Sequence, residues 1–187
     1  MSEAKIIALP FGWMGSNTWL IVCPEQTIVI DPSAPVKRLP EGLPTAGLIL
    51  ATHGHLDHIN RADAWRDATL APLAIHEADA GCLTDAQQNL SAQISQPFVC
   101  RPAEQLLVDG QSIQIDAERR LDVVHTPGHT AGCCCYLLWE HDRAIGLFSG
   151  DVLFAGSIGR TDLGGDLAAM DASLQKLRQL GHDLQIS

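Results

Sequence analysis

Basic residues are scarce in this chain of 187 residues. Lysine and arginine together number 12, against 22 aspartates and glutamates, so the formal net charge at pH 7 is −10. Nucleic-acid binding depends on basic side chains that neutralise phosphate groups. The composition therefore argues against nucleic acid as a partner.

Long apolar runs and an export signal are also missing. No stretch approaches the roughly 18 consecutive apolar residues that a membrane-spanning helix needs. Near the N-terminus, Glu3 stands where a signal peptide carries positive charge, and Pro10, Gly12 and Gly15 interrupt the apolar residues. We therefore expect a soluble, cytoplasmic protein that has no membrane partner.

The cysteines include no C-x-x-C pair. They lie at positions 23, 82, 100 and 133–135, and three in a row do not fit a regular disulfide framework. Free thiols in a reducing compartment are the simpler interpretation. A thiolate metal site at 133–135 is the alternative, but "GCCCYLL" is typical of a core strand whose alternate side chains face opposite sides.

Short β-prone runs recur along the chain, and helical patterns separate some of them. The runs lie at 19–22, 27–30, 47–50, 72–75, 112–115, 121–124, 133–138 and 144–148. Apolar spacing predicts helices over 58–68, through Ile59, Ala62 and Trp65, and over 166–180, through Leu167, Met170, Leu174 and Leu177. A third stretch, 77–93, is predicted to be partly helical. The pattern indicates an α/β or α+β fold in one domain over residues 1–187.

The stretch "THGHLDH" at 52–58 concentrates metal-ligand residues directly after an apolar strand. It holds His53, His55, Asp57 and His58. His53 and His55 flank Gly54, so a turning backbone can aim both imidazoles at one ion, and a helix that begins near residue 57 lets Asp57 and His58 face the same cleft. A lone histidine is more often a surface or core residue, but this density favours a metal site.

Two later strand ends add candidate ligands. His129 follows Pro127 and Gly128 in "TPGHT", and Asp151 follows Gly150 in "FSGDV". Six candidates exceed what a tetrahedral structural zinc site requires, so we expect two ions that share one carboxylate. Such a pair lowers the pKa of a bound water and polarises a carbonyl group, which is hydrolytic chemistry.

"THGHLDH", "TPGHT" and "SGD" resemble, in the same order, the metal motifs of the metallo-β-lactamase superfamily. The later segment "GSIGRTDLGGD" is similar to the glyoxalase II-like (hydroxyacylglutathione hydrolase-like) branch. The resemblance implies a four-layer αββα sandwich with the site at one edge of two facing sheets. It also implies two divalent ions, zinc first with iron or manganese as alternatives, on His53, His55 and His129, on Asp57 and His58, and on Asp151 as the bridging ligand.

The glyoxalase II-like branch implies hydrolysis of a thioester such as S-lactoylglutathione. A metal-bound hydroxide would attack the carbonyl, with Asp57 and Asp151 as the catalytic carboxylates. Arg160 matches a basic residue that grips glutathione in that branch, whereas Asp162 occupies the position of an aromatic one. Arg160 therefore has two interpretations, as a binder of a substrate carboxylate or as a surface arginine bonded to Asp162 or Asp166.

The C-terminal end departs from the family pattern. A further histidine normally binds the second metal from a turn after another strand, and the sequence ends at "LGHDLQIS", where His182 precedes the expected strand. We expect either that the sequence is cut short or that the second metal is held more weakly; the fold would then lack its last strand and helix. Two alternatives stay open: a single-iron persulfide dioxygenase using His55, His129 and Asp151, and an inactive metal-binding scaffold.

Overall fold

In the computed structural model, which describes residues 4–10, 13–94 and 97–180, two β-sheets form the centre of the protein. The first sheet has six strands in the order β1-β2-β3-β4-β5-β6; β1 to β3 pair antiparallel and β3 to β6 pair parallel. Its strands are β1 (Lys5–Leu9), β2 (Thr18–Val22), β3 (Thr27–Ile30), β4 (Ala46–Leu50), β5 (Leu73–His76) and β6 (Gln105–Leu107).

The second sheet has four antiparallel strands in the order β10-β9-β8-β7. Its strands are β7 (Ser112–Gln114), β8 (Arg119–His125), β9 (Cys134–Glu140) and β10 (Arg143–Phe148). A small hairpin of β11 (Leu153–Phe154) and β12 (Ser157–Ile158) follows. Each predicted strand run corresponds to a strand of these two sheets. The two edge strands of the first sheet, β1 and β6, were not predicted.

The described residues form three α-helices: α1 (Leu56–Ile59), α2 (Ala62–Thr69) and α3 (Leu167–Arg178). The helix predicted over 58–68 is thus divided between α1 and α2. In the stretch 77–93 the structure has only two 3₁₀ helices, Glu77–Leu83 and Ser91–Gln93. None of the described helices is long and apolar enough to cross a membrane.

Apolar side chains from both sheets meet in a central core. Ile21 and Leu50 of the first sheet belong to the same buried cluster as Val123 and Tyr136 of the second. The Tyr136 hydroxyl donates a hydrogen bond to the carbonyl of Ala51, 2.7 Å away, so this buried polar group has a partner. The sheets therefore pack face to face.

Helices cover the outer face of each sheet. Ile59 of α1 and Trp65 of α2 pack with Ile49 of the first sheet, and Met170 of α3 packs with Leu137 of the second. The layer order is α-β-β-α, which confirms the predicted sandwich.

One part of the predicted buried face of α3 is wrong. Met170 and Leu177 are buried and Leu174 is partly buried, but Leu167 is 68% exposed. Leu167 is the first residue of the helix, directly after the Asp166 N-cap, so it lies at the helix end rather than over the sheet.

The consecutive cysteines are core residues. Cys134 belongs to the core between the sheets, and Cys133 and Cys135 belong to the core under α3. All six cysteines are buried free thiols, as predicted. Burial raises the pKa of Cys82 and Cys100 to about 12, which keeps these thiols protonated.

Candidate metal centre

Three strand ends deliver the candidate ligands to one edge of the sandwich. The stretch 52–58 follows β4, His129 follows β8 and Asp151 follows β10. Helix α1 begins at Leu56, close to the predicted start, and places Asp57 and His58 in its first turn. All six candidates lie within the described residues.

Four imidazoles pack closely at this edge. The His53 ring centroid lies 4.8 Å from that of His55, 4.9 Å from that of His129 and 4.2 Å from that of His58. Nδ1 of His55 lies 2.8 Å from Nε2 of His129. Nε2 of His53 is buried and has no hydrogen-bond partner among the described residues, so no protein group competes with a metal ion for it.

Asp151 lies between two of these imidazoles. Its Oδ1 is 3.1 Å from Nε2 of His58 and its Oδ2 is 3.5 Å from Nε2 of His129. Oδ2 of Asp57 is 3.6 Å from Nε2 of His58. Two overlapping groups have ligand atoms within 4.8 Å of one another and could hold a metal ion: His53, His55 and His129, and His53, His58 and Asp151.

Burial and neighbouring charges give these groups different protonation states. Burial and the adjacent imidazoles lower the pKa of His53 far below its ordinary value and that of His55 to about 3. Burial opposes charge on His58 too, but Asp31 and Asp151 outweigh it and hold its pKa well above the ordinary value. Neutral His53 and His55 are in the form that binds metals.

Asp31 is a site residue that the sequence patterns did not identify. Its Oδ1 accepts a hydrogen bond from the backbone N–H of Thr52 at 2.7 Å, and its Oδ2 accepts one from the Thr52 hydroxyl at 2.9 Å. Nδ1 of His58 also lies 2.8 Å from Oδ2. The available signal was the motif "IVIDPS", in which an aspartate directly follows a buried strand adjacent to β4.

Arg160 contributes its backbone to the site. Its carbonyl accepts a hydrogen bond from Nδ1 of His129 at 2.7 Å, which leaves Nε2 of His129 as the ring nitrogen with a lone pair. Its guanidinium makes two hydrogen bonds of 2.7 Å to the carboxylate of Asp162. In this structure the Arg160 side chain is therefore a surface arginine bonded to Asp162, which is one of its two predicted roles.

Three clefts reach the candidate ligands, and two of them differ in their lining. One, of about 400 Å³ beside His58, is lined both by polar groups, such as Ser16 and Asn17, and by apolar side chains, such as Trp19 and Phe154. The other, of about 200 Å³, lies beside His55 and His129. Its apolar lining consists of Met14, Leu56, Leu90, Ile94 and Leu163, with Arg160 also at its wall. A bound molecule can thus contact a polar and an apolar surface next to the same ligands.

Comparisons with known proteins agree on the family. Residues 11–187 match the family model described as the metallo-beta-lactamase superfamily. A probable metallo-hydrolase, YqgX of Bacillus subtilis, is 32% identical over 174 residues, which cover 90% of this chain and 81% of YqgX. Hydroxyacylglutathione hydrolase GloC of Haemophilus influenzae is 30% identical, with 87% and 78% covered.

A solved structure has the same overall arrangement. The crystal structure of the B3 metallo-beta-lactamase BLEG-1 superposes with a TM-score of 0.87 at 33% identity, and the match covers 97% of this chain and 90% of that one. The match therefore extends over both sheets and the edge that carries the ligand residues.

Proposed function

This chain belongs to the metallo-beta-lactamase superfamily, and we propose that it hydrolyses small thioesters, such as S-lactoylglutathione, at a centre of two divalent metal ions. The observation that carries the proposal is the convergence of three other buried imidazoles and Asp151 on His53, whose Nε2 has no hydrogen-bond partner among the described residues. A buried polar atom without a partner is costly in a core. A metal ion would remove that cost, so the residues fit the ion.

The ligands divide into two groups around Asp151. His53, His55 and His129 would hold the first ion, Asp57 and His58 the second, and Asp151 would contact both. Imidazole and carboxylate ligands suit zinc, and they also accept iron or manganese. When bound, the ions supply an activated water and polarise the substrate carbonyl.

The residues of the chain orient these ligands. The Arg160 carbonyl selects the tautomer of His129, and Asp31 holds His58 so that Nε2 faces Asp151. Partners of this kind fix ring orientation and raise ligand basicity. Asp57, 21% exposed at its side chain beside His58, would accept a hydrogen bond from the attacking water and direct it toward the carbonyl.

The thioester preference draws on the similarity to GloC and on the clefts. The apolar wall of Leu56, Leu90 and Ile94 suits the sulfur and methylene groups of a thioester, and the polar groups of the cleft beside His58 suit a hydroxyacyl group. Arg160 lies at the wall of the apolar cleft, where its guanidinium would bind a substrate carboxylate. The six buried thiols agree with a reducing, cytoplasmic setting.

The direct test is metal quantification on the purified chain together with an S-lactoylglutathione hydrolysis assay. We expect zinc or manganese with turnover, and loss of both metal and turnover in His129→Ala and Asp151→Ala. His141→Asn is the matched control, since His141 is exposed in the turn between β9 and β10 and should retain both.

Other outcomes would overturn the proposal in distinct ways. Iron together with oxygen consumption on glutathione persulfide would identify a dioxygenase. Hydrolysis of a β-lactam rather than a thioester would give this chain the activity in the name of BLEG-1. Bound metal without turnover on any of these substrates would identify an inactive scaffold.

A further inference from the structure

Asp79 is a buried carboxylate behind the ligand loops and belongs to none of the ligand motifs. It lies in the 3₁₀ helix Glu77–Leu83, which follows β5, and it is only 2% exposed. It is neither a proposed metal ligand nor a hydrogen-bond partner of a ligand side chain. A buried carboxylate needs partners that satisfy its oxygens, and those partners show what it does.

The partners of Asp79 come from both histidine loops. Its Oδ2 accepts hydrogen bonds from the backbone N–H of Gly54 at 2.9 Å and from the Thr130 hydroxyl at 2.7 Å. Its Oδ1 accepts one from the backbone N–H of Gly132 at 2.6 Å. One carboxylate therefore joins the loop of His53 and His55 to the loop of His129.

Two glycines allow the loops to approach this turn. A Cβ at Gly132 would lie 2.5 Å from the backbone nitrogen of Asp79 and 2.6 Å from its Cβ. A Cβ at Gly54 would lie 2.2 Å from the Cβ of Cys82, in the same 3₁₀ helix. The two histidine loops are therefore held against the 3₁₀ helix Glu77–Leu83 both by close packing and by the three hydrogen bonds to Asp79.

We propose that Asp79 is a positioning residue that sets the separation of His55 and His129, and thereby the affinity of the first metal. Gly54 directly precedes His55, and Thr130 directly follows His129, so the two loops are tied next to the ligands. Nδ1 of His55 and Nε2 of His129 lie 2.8 Å apart. The inference rests on the proposed metal centre.

The experiment compares zinc dissociation constants, measured by competition with a chelator, for the wild-type chain, Asp79→Asn and Asp79→Ala. Asn keeps the size of Asp but presents an N–H₂ group toward at least one N–H donor. Loss of a partner that orients metal ligands typically weakens metal affinity about 10–100-fold, and we expect that range for Asp79→Asn. The visible spectrum of the cobalt-loaded protein should change as well, because it reports ligand geometry.

Asp116→Asn is the matched control. Asp116 has a buried side chain that also accepts two backbone N–H groups and one side-chain donor, from Glu118 and Arg119. It lies at the opposite end of β8 from the turn that carries His129. We expect this variant to lose stability, while its zinc affinity stays within about threefold of wild type. The reason is that substitutions at distant sites without shared contacts usually have independent effects.

Three results would overturn the inference. The first is a zinc affinity of Asp79→Asn within about threefold of wild type, and the second is an equal loss of zinc affinity in Asp116→Asn. The third is failure of Asp79→Asn to fold, which would mean that Asp79 serves only to stabilise the fold. If Asp79→Ala does not fold, Asp79→Asn decides. A wild-type chain without metal affinity would refute the proposed function as well, so the two failures are distinguishable.

Discussion

Oδ2 of Asp31 lies 2.8 Å from Nδ1 of His58, although the two residues come from different strand ends. Asp31 directly follows β3 and has a left-handed backbone, with φ of 53°. Its side chain also holds the N–H of Thr52 at the start of the histidine loop. A single buried carboxylate therefore connects the end of β3 to the loop after β4 and orients one of the proposed ligands.

Replacing Asp31 should affect the second metal more than the first. In Asp31→Asn, His58 loses its charged partner, and the amide cannot accept all three hydrogen bonds. We expect the affinity for the second ion to fall about 10–100-fold, so that the dialysed protein holds one equivalent of zinc. Metal analysis after dialysis measures this, with Asp116→Asn as control, and two retained equivalents would contradict it.

The sequence patterns point to the candidate ligands but not to the residues that hydrogen-bond to the candidate ligands or their loops. His53, His55 and His129 stand out because apolar strands end beside them, and a strand followed by a turn is a local signal. The roles of Asp31 and Asp79 depend on which strands become neighbours. That pairing is a long-range property of the sheet, so a single aspartate in a turn gives no local sign of it.

The secondary structure, too, was predictable only where the sequence carries a strong local signal. Strands β3 and β5 were predictable because burial on both faces leaves continuous apolar runs. The edge strand β6 is short and Leu106 is 55% exposed, so its composition gives little signal. The stretch 77–93 has the composition of a helix, but the structure has short 3₁₀ turns there, one of which places Asp79 under the ligand loops.

Two left-handed glycines should respond differently to alanine. Gly150 has φ of 48°, and a Cβ there would lie 2.3 Å from Oγ1 of Thr52, whereas Gly156 has φ of 83° with no atom within 4 Å of an added Cβ. Gly156→Ala should cost about 1 kcal/mol of stability and keep activity. Gly150→Ala should also displace Asp151 and lower kcat/KM about 100-fold. Equal kinetics in the two variants would contradict this.

Removal of Trp65 should destabilise the core between the first sheet and the helices that cover it. Trp65 is fully buried, and its Nε1 donates a hydrogen bond of 2.9 Å to the carbonyl of Ala34. Trp65→Ala should lower the free energy of unfolding by about 3–5 kcal/mol, measured by urea denaturation of the metal-free protein. The control is Leu70→Ala, because Leu70 directly follows α2 and is 89% exposed. This variant should change the free energy of unfolding by less than about 0.5 kcal/mol. Similar midpoints for both would refute the packing assignment.

Arg160 should discriminate between substrates by their charge. Its ion pair with Asp162 joins side chains that are 58% and 67% exposed, and exposed pairs contribute only about 0–1 kcal/mol, so a substrate carboxylate can replace Asp162 at little cost. In Arg160→Gln the backbone carbonyl that orients His129 is retained. We therefore expect kcat to stay within about twofold, while KM for S-lactoylglutathione rises about tenfold through the lost charged hydrogen bonds.

The matched control for Arg160 is a second substrate rather than a second variant. S-lactoyl-N-acetylcysteamine has the same thioester without a carboxylate, so its KM should be the same in the wild type and in Arg160→Gln. Asp162→Asn should have the opposite effect and lower KM for S-lactoylglutathione, because the guanidinium no longer has a competing carboxylate within two residues. If KM rises equally for both thioesters in Arg160→Gln, Arg160 supports the loop and does not bind the substrate carboxylate.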